Sequence, residues 1–155
     1  MSKFQIIIRK FWIKVEKPIW SFIRNCVFWI GHLNKIGAVR EDMKMLKKLT
    51  LEDFMKKFLW QEDVVGDWTP WVMTILCNDF TDDCDGAAAL AKWWFKQNGV
   101  EAEILNLYSD KSGHTVCVTK DRMRMVTNER VVQLFPETWE DDIMRYFGNK
   151  YVMMI

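Results

Sequence analysis

The hydrophobic periodicity of this 155-residue chain changes once, at Gly99, and that change limits the folds open to it. Upstream, apolar residues recur at three- and four-residue steps, the spacing of amphipathic helices. Downstream they alternate, the spacing of half-buried strands. Helices followed by an antiparallel meander make an α+β arrangement. A chain of this length is one domain with room for an appendage. Half of its residues are hydrophobic, with nine Trp and ten Phe, which suits a dense core or an apolar docking face.

Residues 4–15 fit helix or strand equally. From Pro18, a good first helical residue, the residues Ile19, Phe22, Ile23, Cys26, Val27, Ile30 and Leu33 share one helical face. Stripes at this period usually face a core, so the helix is expected to pack on the body. The alternative is a basic helix lying on a membrane surface or a protein partner. A short helix is expected over residues 41–49 and another from Thr50, where Thr50 and Asp53 approach a capping box. Residues 60–68 read as a loop. Thr69 as N-cap and Pro70 in the first turn should start a helix that runs to about Cys77.

Charge divides the chain. Residues 1–48 carry eleven Lys/Arg against three acids, a net of +8, and the remainder a net of −7. The division predicts a basic, aromatic-rich arm over 1–48 with its own partner and a functional domain over 49–155. Its Ile-rich and aromatic spacing fits a protein or membrane surface, and no nucleic acid is expected as partner. The four cysteines, Cys26, Cys77, Cys84 and Cys117, form no C-x-x-C pair. That pattern argues against zinc and a disulfide framework and suits a reducing compartment. With no signal-peptide pattern and no bilayer-length apolar run, a cytoplasmic location is expected.

Thr81 through Leu90 read as an acidic turn opening into a helix, with Asp82 or Asp83 as N-cap and Gly99 as the stop. Cys84 falls in the first turn, where unpaired N–H groups favour an anion, so it is a candidate low-pKa nucleophile; a buried structural cysteine is the plainer reading. Beyond Gly99, residues 100–108, 114–119 and 123–128 read as strands, and residues 139–147 as a last helix. His114 opens the second strand, and a hairpin would bring Asn128 near it. A helix-tip thiol, a strand imidazole and a strand-end carboxamide supply the nucleophile, base and base-orienting group of a thiol enzyme. The Cys84 N–H would face the developing oxyanion, with Gln61, Trp60 or Trp68 supplying a second donor. Asp79, Asp82, Asp83 and Asp85 could take a cation such as calcium, although a solvated acidic turn is the favoured reading and no cofactor is expected.

The run Asp67-Trp68-Thr69-Pro70, then Asp83-Cys84-Asp85 before a small-residue helix, His114-Thr115-Val116, and a strand ending Thr127-Asn128 resembles the bacterial transglutaminase-like cysteine proteinases. The resemblance covers roughly residues 55–132. It implies a papain/transglutaminase-like fold, with N-terminal helices and the nucleophile helix packed on an antiparallel sheet. It also implies a Cys-His-Asp or Cys-His-Asn triad acting on a protein or peptide substrate by hydrolysis or acyl transfer. Two positions depart from the family pattern: Asp82 stands where a glycine is usual, and Thr127 where the triad aspartate is common. Carrying the third role to Asn128 gives the triad Cys84, His114 and Asn128. A one-residue slip would leave a Cys-His dyad or an inactive binding module.

Overall fold

The computed structural model describes residues 8, 11, 15, 17–62, 69–109, 112–151, 153 and 154. Most of the ambiguous stretch over 4–15 lies outside them, and so do Asp67 and Trp68. Helices precede the sheet: α1 (Lys17–Gly31), α2 (Ile36–Leu46), α3 (Leu51–Met55), α4 (Val72–Cys77) and α5 (Cys84–Gln97). Two short strands, β1 (Leu59–Trp60) and β2 (Thr81–Asp82), pair in parallel between them. The expected loop at Trp60 therefore begins as a strand. Then come β3 (Ala102–Tyr108), β4 (Gly113–Thr119), β5 (Arg124–Thr127), β6 (Arg130–Gln133), α6 (Trp139–Tyr146) and β7 (Met153–Met154). The last five strands form one antiparallel sheet ordered β6-β5-β4-β3-β7. The fold is thus mixed α and β with an antiparallel sheet.

Alternation along the strands gives the sheet two apolar faces. Ile104, Cys117 and Val126 face α5 and join Phe54, Met55, Ile75, Leu90 and Phe95 in one core. Leu107, Val116, Val118 and Met125 face the other way and pack on Leu134, Ile143 and Tyr151. Each fully buried Leu, Ile or Phe contributes about 1.5–3 kcal/mol. Val39 and Leu46 of α2 belong to the first core, so part of the segment read as an arm is built into the body.

Helix α1 departs from its expected orientation. Val27, Ile30 and Leu33 are 66, 74 and 63 % exposed, and Ile19, Phe22 and Ile23 are exposed as well. The side facing the body is polar, with Lys17, Ser21 and Asn25 buried. Asn25 explains why. Its amide donates to the carbonyls of Ser21 and Thr69, and its oxygen accepts from the Trp71 N–H and the Thr74 hydroxyl. Ser21 accepts from the Thr69 N–H at 2.8 Å. The start of α4, where Thr69 was expected as cap, is thus capped from another helix: Trp71 is the N-cap residue, and Asn25 takes its N–H. By contrast, Thr50 caps α3 as expected, accepting from the Asp53 N–H.

Candidate active site

The acidic turn delivers Cys84 to the tip of α5. Asp83 is its N-cap and accepts from the Asp85 N–H at 2.8 Å, while the Asp82 carboxylate accepts from the Asp83 N–H at 2.9 Å. Asp82 fits because residue 86 is glycine: a Cβ there would lie 2.4 Å from the Asp82 Cβ. Strand β1 lies beside this turn. Trp60 pairs with Asp82, and the Gln61 N–H donates to the Asp82 carbonyl at 2.8 Å. Of the expected oxyanion donors, Trp60 and Gln61 are therefore brought next to the thiol segment, whereas Trp68 lies outside the described residues.

The register of β4 explains where the sulfur sits. Lys120 N–H donates to Glu101 carbonyl, and Ala102 pairs with Thr119. Alternation of the antiparallel ladder from that bond turns the N–H groups of Thr115 and Cys117 away from β3, towards β5. Cys117 pairs there with Val126. Beyond Val126, β5 ends at Thr127 and turns through Asn128 and Glu129 into β6, so Thr115 has no β5 partner. The Cys84 thiol lies within reach of the backbone N–H and the hydroxyl oxygen of Thr115. Asp85, the next residue, is clamped by Lys17 on one carboxylate oxygen and by the Thr115 hydroxyl on the other. The Lys17–Asp85 pair is almost fully buried.

His114 leaves β4 on the opposite face, where its ring meets Phe147 and Tyr151 with centroids 5.1 and 6.3 Å away. Its Nε2 lies 2.7 Å from the Thr127 hydroxyl. The ring's partner is therefore Thr127, and Asn128, expected in that place, sits in the β5–β6 turn at φ +48°. A two-residue hairpin turn needs left-handed backbone, which asparagine tolerates. One residue past the strand, its side chain no longer follows the face that carries His114. Its buried Oδ1 has no hydrogen-bond partner. Among the described residues no hydrogen bond joins Cys84 to His114. His114 is one residue along β4 from Thr115, and Tyr151, which stacks on the imidazole, is also within electrostatic reach of Cys84.

Both groups rest uncharged. Burial, then the negative charges of Asp85 and Asp83, push the Cys84 thiol up to about 12 despite the opposing influence of Thr115. The low pKa expected from a helix tip is thus opposed first by burial and then by the neighbouring carboxylates. Burial, with a smaller contribution from Lys150, lowers His114 to about 4. A cavity of about 390 Å³ opens against Asp85 and Thr115, walled by Lys17, Phe22 and Trp71. A second, of about 210 Å³, is lined by His114, Thr127, Asn128 and Arg130. Among the described residues no group of three or more His, Cys, Asp or Glu could hold a metal ion. Asp83 and Asp85 are committed to the helix start and to Lys17, and Asp79 is exposed.

Thr115, Thr127 and Lys17 were absent from the expected site. Thr127 was legible as the residue in the family's aspartate position, but Lys17 carried no signal, since its partner is 68 residues away. No family model matches the chain, and no curated protein matches it.

Proposed function

We propose that the protein is a transglutaminase-like thiol hydrolase or acyltransferase acting on a peptide or protein substrate. The observation that carries this reading is that Cys84 and His114 meet at neighbouring positions of β4, the thiol at Thr115 and the ring on the preceding residue, with its Nε2 fixed by Thr127. With Nε2 engaged, Nδ1 is the nitrogen left for proton transfer. Cys84 attacks the acyl carbon of the substrate, and its thiol proton passes through His114 to the leaving amine. Water or an acceptor amine then displaces the sulfur from the thioester. The Cys84 N–H and a donor from Gln61 would stabilise the oxyanion.

A second reading, a binding module that keeps this architecture without the chemistry, is favoured by the electrostatics. With the thiol raised to about 12 and the imidazole lowered to about 4, the resting pair opposes proton transfer from sulfur to ring. Thr127 also supplies no charge to stabilise an imidazolium.

Incubation with p-nitrophenyl acetate separates the two. The enzymatic reading expects a burst of p-nitrophenolate with acetylation at Cys84, lost in His114→Ala. Acetylation no faster than at Cys26, or unchanged by His114→Ala, would establish the binding module. In either case alkylation of Cys84 by iodoacetamide should climb roughly tenfold per pH unit through pH 7–10, because the thiolate is the reactive form. A plateau below pH 9 would show that the thiol is activated by an ion pair.

A further inference from the structure

We infer that α1 is a membrane-docking helix that holds this protein on an anionic lipid surface. Amphipathic helices bury their apolar face against the body; this one does the reverse. Ile19, Ile23, Val27, Ile30 and Leu33 follow one another at three- and four-residue steps, and all are exposed. The exposure continues upstream at Ile8, Phe11 and Val15, at the same steps. Trp20, at the margin of the row, is 55 % exposed, and tryptophan is the side chain most suited to the headgroup boundary.

The helix cannot hide this row by rolling over. Its other side is fixed by the bonds of Asn25, by Ser21 and by the Lys17–Asp85 pair. Turning it would strip buried polar groups of their partners, each at a cost of about 1–3 kcal/mol. Charge then selects the occupant. Residues 1–48 carry a net +8. A second copy packed on the same face would bring two such segments together, whereas an anionic headgroup layer attracts them. No helix among the described residues is long and apolar enough to cross a bilayer, so the fit is to lying in the interface.

Because Lys17 on the inner side of the same helix clamps Asp85, next to Cys84, docking would hold the thiol cleft close to the lipid surface. The inference does not rest on catalysis, and Cys84→Ser should dock as the parent does.

Co-sedimentation of the full chain with phosphatidylcholine vesicles, with and without phosphatidylserine, tests it. The parent should pellet with the anionic vesicles and remain largely in solution with the neutral ones. Ile23→Gln/Val27→Gln, which touches only exposed side chains and leaves the charge unchanged, should weaken pelleting roughly tenfold or more. Three results would overturn the inference: no preference of the parent for anionic vesicles, equal pelleting of the variant, or a lipid-free dimer of the parent that the variant abolishes.

Discussion

At the scale of single residues, Asp82 and Gly86 form a matched pair. The Asp82 side chain occupies the space where any Cβ at position 86 would stand, with 2.4 Å to its own Cβ. That atom is tied to the backbone and cannot swing aside, so Gly86→Ala forces the turn apart. Inside a helix, alanine should otherwise gain about 1 kcal/mol over glycine. We expect Gly86→Ala instead to destabilise by about 1–3 kcal/mol, as overpacking does. Asp82→Gly/Gly86→Ala should recover most of that loss, which urea unfolding of the two variants would read directly. Equal destabilisation in both would show that the contact is not the cause. The sequence displays Asp82 as a departure from the family pattern but not its compensation four residues on, because two ordinary helix-start residues reveal their fit only once the turn is built. Thr127 and Asn128 differ in the same way. Strand alternation was legible; the end of the strand, which decides which of them faces His114, depended on a turn that the alternation does not mark.

At the scale of elements, α5 could be placed from its cap and its glycine stop, and the strands β3 to β5 from alternation, because the residues that define that period are also those that are buried. Helix α1 could be located but not oriented. Its apolar stripe is real, yet Asn25, fully buried, decides which side meets the body. A single asparagine carries no periodic signal, and its partners Thr69, Trp71 and Thr74 lie more than forty residues away. Strand β6 was missed for a related reason: the Asn128–Glu129 turn is short, and Arg130 and Gln133 are exposed ends on a strand of four residues. If Asn25 orients the helix, Asn25→Ala should cost about 2–4 kcal/mol, since it leaves the Trp71 N–H and the Thr69 carbonyl without partners. Asn25→Asp keeps the acceptor bonds but sets a buried carboxylate oxygen against the Ser21 and Thr69 carbonyls, so it should cost at least as much as Asn25→Ala. Thermal unfolding of both variants gives the ranking. An Asn25→Ala protein as stable as the parent would mean that α1 is held mainly through other contacts.

At the scale of the whole molecule, the sheet separates two titrations of opposite sign. On the α6 side, His114 lies under Phe147 and Tyr151 with its pKa lowered from 6.5 to about 4. Between those values the unfolded chain binds the extra proton and the folded one does not, so stability rises with pH and is lost as pH falls. On the α5 side, burial raises Cys84 and Cys117 from 9.0 to about 12. There the folded chain keeps protons that the unfolded chain releases, so stability falls as pH climbs above 9. The melting temperature should therefore be highest between pH 6.5 and 9 and decline on both sides. The histidine accounts for at most about 3.5 kcal/mol of the acid loss, or roughly 7–14 °C in a chain of this size. His114→Gln, which cannot charge, should flatten the decline between pH 6.5 and 4 while leaving the alkaline one in place, and Cys117→Ala, which leaves Cys84 to titrate, should lessen the alkaline decline only in part and leave the acid one unchanged. A melting profile in which His114→Gln declines through pH 6.5–4 as steeply as the parent would place the acid sensitivity elsewhere, and would mean that the ring is not held neutral by burial beneath α6.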